Sequence, residues 1–181
     1  MKIGITGHTT GIGKQLFENY GYKGWSLSNG YDLQDPDIRQ KVVEEAHDVD
    51  VFINNADNGK NLKLDVFKTI WNAWKDKPKI LVSIGSFKQV QVLIDSKIYC
   101  SDGWTNTIAV TRFWETILPA KSELAVGLIE FGPVGSERTI RKKLPFYSSL
   151  DEAETIIMNT VEQLAYLHRI KTQVICKGYH A

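Results

Sequence analysis

"KIGITGHTTGIGKQLFENY", residues 2 to 20, runs from a β-branched apolar segment through a turn with glycines at 7, 11 and 13 into a stretch of helical period. Ile3 and Ile5 suit a strand, and Ile12, Leu16, Phe17 and Tyr20 fall on one helix face. A strand-to-helix turn that receives a phosphate needs glycine at three places: the sharp bend, the close approach of backbone to ligand, and the packing of helix on strand. Gly7, Gly11 and Gly13 suit those tasks in that order, with Thr9, Thr10 and Ile12 filling the turn. Amides at the start of the helix then face an anion, aided by the helix dipole. Because glycine also serves ordinary tight turns, the remainder of the chain has to decide.

Working outward, further short apolar runs follow at 24–28 ("GWSLS"), 49–53 ("VDVFI"), 79–84 ("KILVSI"), 124–131 ("LAVGLIEF") and 172–176 ("TQVIC"). Helical faces alternate with them. Ile38, Val42, Val43 and Ala46 form one, opened by Asp35 as cap and Pro36 at the first helical position. Val66, Phe67, Ile70, Trp71 and Trp74 form the next. Ile108, Phe113, Ile117 and Leu118 stop at Pro119, and Ile156, Ile157, Val161, Leu164 and Ala165 follow the capping box "SLDE" from Ser149. Strands alternating with helices, without linker, repeat or low-complexity segment, predict one α/β domain over residues 1–181. It should be a doubly wound, mostly parallel sheet of Rossmann type with helices on both faces. Ligands of such sheets bind beyond the carboxyl ends of the strands.

Composition narrows the class. The 181 residues are 43% hydrophobic and 24% charged with a net charge of +1, which excludes disorder and gives no footprint for nucleic acid. No apolar run approaches a membrane span, and "MKIGITG" leaves no room for a signal peptide before the first strand, so a cytosolic protein is expected. The two cysteines, Cys100 and Cys176, make no disulfide framework. The four histidines show no ligand spacing, so no metal is expected.

At the end of the second run stand Ser28 and Asn29, where a carboxylate would accept from the ribose diol of NAD. Their neutrality favours NADP, with NAD still possible, unless the pair merely forms the turn before Gly30. After residues 49–53 comes "NNADNG", where Asn54 and Asn55 either tie neighbouring strands through their amides or form a simple turn.

"TGHTTGIG" at 6–13, "DL" at Asp32 and Leu33, "NNA" at 54–56, and Ser86 followed thirteen residues on by Tyr99 together resemble the short-chain dehydrogenase/reductase family, in order over nearly the whole chain. The resemblance implies a seven-stranded sheet of order 3-2-1-4-5-6-7. It implies that the glycine turn binds the cofactor diphosphate, that Asp32 and Leu33 meet the adenine, and that Asn55 and Ala56 line the cofactor. "FGPVGSERT" at 131–139 is similar to the segment closing over the nicotinamide, which makes Pro133, Val134 and Thr139 candidates. Tyr99 would exchange a proton with a small carbonyl or alcohol substrate and Ser86 would bind the same oxygen. Members form homodimers or homotetramers through helices, and Trp71, Trp74, Trp104 and Trp114 suit either a core or such an interface.

The chain departs from the family's pattern in four ways. Asp57 replaces the glycine of "NNAG", and the C-terminal loop and helices are abbreviated. The family's segment between second and third strands is shortened, leaving no room for a full helix. Four residues after Tyr99, where the family has a lysine that holds the ribose and lowers the tyrosine pKa, stands Gly103. Lys97 would turn to the other side of a helix, Arg112 lies more than three turns on, and Lys88 lies in the loop after Ser86. Carbonyl reduction, which needs a neutral tyrosine as acid, should survive that loss better than alcohol oxidation, which needs tyrosinate. The other readings are a cofactor-binding sensor or scaffold without turnover, and a pocket for a different nucleotide, which the glycine turn alone would allow.

Overall fold

The computed structural model describes residues 1–57, 61–86, 102–132, 134–137 and 148–174, with backbone alone at 86, 102–107, 173 and 174. Tyr99, Pro133 and Thr139 lie outside them. In chain order the elements are β1 (Ile3–Thr6), α1 (Gly11–Tyr20), β2 (Gly21–Trp25), α2 (Pro36–Glu45), β3 (Val51–Asn54), α3 (Leu62–Trp74), β4 (Ile80–Ser86), α4 (Asp102–Ile117), β5 (Ala125–Phe131), α5 (Leu150–Leu164) and β6 (Arg169–Val174). The six strands are parallel, in the order β2-β1-β3-β4-β5-β6.

Strand alternation divides the core into two layers. Phe52, Leu81, Val126 and Leu128 face α2, α3 and α4, joining Val42, Phe67, Ile70, Trp74, Val110 and Trp114. Ile3, Ile5, Val51, Ile53, Val82, Ile84 and Ile129 face the other way, meeting Leu16 of α1 and Ala153, Ile157 and Val161 of α5. Helices therefore cover both faces, which explains why β3, β4 and β5 read as continuous apolar runs. The caps follow the sequence: the Asp35 carboxylate accepts from the Asp37 amide at 2.9 Å, and Ser149 and Glu152 close a reciprocal box. No helix among the described residues is long and apolar enough to cross a membrane.

Three expectations change. The resemblance implied seven strands, but residues 26–50 contain no strand, so the one that would flank β2 has no counterpart in that stretch. The full ten-residue α2 occupies the same stretch, so a strand rather than a helix has been dropped there. The second strand is Gly21–Trp25 instead of 24–28, because Leu27 is 64% exposed and sits with Ser28 and Asn29 in a 3-10 turn.

Candidate functional site

The order in which strands are added to the sheet reverses between β1 and β3: β1 is followed outward by β2 on one side, and β3 begins the march to the other edge. The loops leaving β1 and β3 consequently diverge and leave a crevice outside their carboxyl ends. An open cleft of about 550 Å³ occupies that position. Gly7, Thr9 and Thr10 line it from the β1 turn, Asn55, Ala56 and Asp57 from the end of β3, and Ser26, Leu27, Ser28, Tyr31 and Leu33 from beyond β2, with Leu62 at the start of α3.

The turn and the β3 end are clamped together. Thr6, wholly buried, accepts the amides of Asn55 and Ala56 on its Oγ1 at 3.0 and 3.1 Å, and the Asn55 side-chain amide donates to the Gly7 carbonyl at 3.0 Å. The glycines divide their labour as the sequence suggests. Gly7 (φ +67°) bends the chain, and a Cβ there would stand 2.9 Å from the Ala56 Cα. Gly11 (φ +55°) faces open space, with nothing nearer than the Ser136 Cβ at 3.6 Å. Gly13 has no unusual φ, but a Cβ on it would lie 2.1 Å from the Gly7 carbonyl oxygen and 2.4 Å from the Asn55 Nδ2. Backbone thus forms the cradle at Gly7 and Gly11, and helix-on-turn contact fixes it at Gly13. His8, between them, packs its ring on Phe17 at 4.6 Å, and burial holds its imidazole below the ordinary value.

Across the cleft, the Ser26 and Ser28 hydroxyls share a hydrogen bond of 2.8 Å. Asn29 turns inward instead: its Oδ1 accepts from the Ser26 amide at 2.7 Å and its Nδ2 donates to the Gly24 carbonyl. Leu33 is buried, whereas Asp32 is exposed and its carboxylate accepts from the Gln34 amide. Tyr31 supplies an aromatic wall that sequence reading missed. Its hydroxyl donates to the Glu45 carboxylate at 2.8 Å, and the Trp25 indole donates to the same group at 2.8 Å. Burial by itself would raise the Glu45 carboxyl, but the hydrogen bonds from Trp25 and Tyr31 outweigh it and hold the group below its usual value.

Ile12 packs against the α1 side of the core rather than lining the cleft. Val134, buried, bridges to Ser148, and the next residues carry Ser136 to the rim of the glycine turn. Ser86 is the last residue of β4, paired with Phe131, and Gly103 is the second residue of α4.

Lys63 is the other residue that the sequence gave no reason to choose. It enters between the ends of β3 and β4, donating from Nζ to the Asn55 carbonyl at 3.4 Å and to the Ile84 carbonyl. Its own carbonyl accepts from the Asn54 side chain at 2.8 Å. Complete burial pulls its ammonium below the ordinary lysine value, and the Asp57 carboxylate opposes that shift.

No protein-family model matches the chain, and no curated protein does. Solved structures do. The chain is similar to the 3-alpha-hydroxysteroid dehydrogenase of Pseudomonas sp. complexed with NADH, at 16% identity and a TM-score of 0.74, over 96% of this chain and 95% of that one. L-sorbose reductase of Gluconobacter frateurii, complexed with NADPH and L-sorbose, matches at 14% identity and a TM-score of 0.72, over 99% and 97%. A short chain dehydrogenase of Burkholderia cenocepacia in complex with NADP matches at 16% and 0.66, over 96% and 88%. At these identities the likeness is one of fold, and the fold is that of short-chain dehydrogenases.

Proposed function

We propose that the chain is a small oxidoreductase of the short-chain dehydrogenase/reductase type, transferring hydride between NADP(H) and a small carbonyl or alcohol and working chiefly as a reductase. The observation that carries this reading is the cleft at the β1/β3 switch, closed beneath by the contacts of Thr6 and Gly13 with Asn55 and of Gly7 with Ala56. A cradle in which Cβ atoms at Gly7 and Gly13 would strike backbone or Asn55 suits a diphosphate approached by main-chain amides. Structural neighbours crystallised with NADH, NADP and NADPH support the same ligand class.

In this reading the turn from Gly7 to Gly13 receives the diphosphate, while Leu33, Ala56 and the exposed Asp32 attend the adenine. At the end of β2, where a carboxylate would repel a ribose phosphate, the cleft is lined by the Ser26 and Ser28 hydroxyls. NADP is therefore the favoured form and NAD the second choice. Pro133, Val134 and Thr139 would close the nicotinamide end.

The bound cofactor supplies the hydride. Ser86 hydrogen-bonds the substrate oxygen as charge builds on it, and Tyr99 delivers the proton, so that one hydride and one proton convert carbonyl to alcohol. A tyrosine of ordinary pKa near 10 is almost wholly neutral at pH 7, ready as an acid, with only about one molecule in a thousand available as a base. Without a lysine at position 103 the reductive direction retains its proton donor. The protein would act in the cytosol, as a homodimer or homotetramer formed through α3 and α4.

The test is oxidation of NADPH, followed by absorbance, against a panel of small ketones, aldehydes and ketoses. Carbonyl-dependent loss of NADPH supports the enzyme. Saturable NADPH binding without turnover over the panel favours a sensor, to which the glycine at 103 already points, and absence of binding removes both.

A further inference from the structure

Lys63 is the only buried lysine or arginine among the described residues, at 4% exposure. Both ends of its position are fixed. Asn54 holds its carbonyl while also reaching the Ser83 hydroxyl at 3.4 Å, and the ammonium spans the Asn55 and Ile84 carbonyls. Those carbonyls belong to the residue just before Ala56 and to the residue two before Ser86. The cation therefore lies under the rim where the cleft passes from β3 towards β4. Two neutral carbonyls accept from two of its three N–H donors without cancelling its charge. Asp57 is its counter-charge, but that carboxylate is exposed and screened by solvent, whereas Lys63 is not.

A buried positive charge in this place discriminates between ligands by charge. The oxidised nicotinamide ring is cationic and the reduced ring is neutral, and the two forms otherwise present the same groups to the protein. We propose that Lys63 sets the redox-form preference of the site, raising affinity for the reduced cofactor over the oxidised one and so keeping the cleft loaded for reduction. This rests on the cofactor reading above, and it gives the chain a cation that works from beneath the sheet ends. A unit charge acting over about 10 Å at the effective dielectric of a protein changes an equilibrium constant by roughly tenfold.

Calorimetric titration of the whole chain with NADPH and with NADP+ tests this, in wild type, Lys63→Met and Lys63→Gln. Met fills the channel without charge, and Gln retains a donor for the carbonyls. The expected result is a wild-type preference for NADPH of about tenfold or more that falls by roughly tenfold in both variants. A purely structural lysine would weaken both forms by one common factor and leave their ratio unchanged, which overturns the proposal while the cofactor reading stands. Equal affinity, or tighter NADP+ binding, in wild type overturns it even if neither variant folds. Failure of wild type to bind either form removes the cofactor reading and this inference with it.

Discussion

Replacing Gly13 by alanine probes the clamp on which the cleft depends. The added Cβ would lie 2.1 Å from the Gly7 oxygen and 2.4 Å from the Asn55 Nδ2, the two atoms that share the 3.0 Å hydrogen bond. Neither is the loose end of a flexible chain, so α1 must shift or the bond must break. Overpacking of this sort costs about 1–3 kcal/mol, and losing the bond adds about 0.5–1.5 kcal/mol, so a loss of roughly 2–4 kcal/mol is expected. Gly11→Ala is the control. Its nearest neighbour is 3.6 Å away, leaving only the left-handed backbone at φ +55°, worth about 1–2 kcal/mol. Urea denaturation followed by circular dichroism compares the two, and NADPH titration reads the cleft. Gly13→Ala should be the less stable variant and the weaker binder. A Gly13→Ala protein within about 0.5 kcal/mol of wild type would refute the clamp.

Thr6→Val keeps shape but leaves the Asn55 and Ala56 amides without their acceptor, so a loss of about 2–4 kcal/mol is expected in urea denaturation, against about zero if water replaces the hydroxyl. The Asp48 carboxylate is held well below its usual range by hydrogen bonds from the Lys23 ammonium at 2.7 Å and the Tyr22 hydroxyl at 2.8 Å. Because its folded pKa is depressed, its contribution is present above the ordinary carboxylate value near 4 and fades as pH falls below it. Asp48→Asn should melt lower than wild type at pH 7, with the gap closing below about pH 4; a gap independent of pH would count against the cluster. Gly103→Lys, at the second residue of α4, should speed alcohol oxidation at neutral pH by about tenfold or more and reduction far less. An unchanged oxidation rate would mean that Tyr99 is not organised for this chemistry.

What the sequence revealed follows from what is local. β3, β4 and β5 are buried on both faces, so they announce themselves as unbroken apolar runs. The two edge strands do not. β2 contains Tyr22 and Lys23, whose side chains reach Asp48 at the sheet's margin, and β6 begins with Arg169 and Ile170 ahead of the run at 172. The glycine turn was legible because bend, approach and packing each demand a missing Cβ at a fixed spacing. Its partner across the cleft was not, since Tyr31 is held by groups distant in sequence: its hydroxyl meets Glu45, fourteen residues away on α2, and its ring packs against the core. Lys63 was hidden for a related reason. A lysine in the first turn of a helix reads as a solvated side chain, and only the meeting of α3 with the ends of β3 and β4 buries it. Near Tyr99 in the chain the cations are Lys88, Lys97 and Arg112, and Arg112 is exposed on α4 beside Lys68.

The most direct measurement is a crystal structure of the chain grown with NADPH. The diphosphate should lie over the Gly7–Gly13 turn, the adenosine between Leu33 and Ala56, and the nicotinamide at the ends of β3 and β4. Cofactor bound anywhere else, or a cleft that stays empty at saturating NADPH, would contradict the cofactor reading.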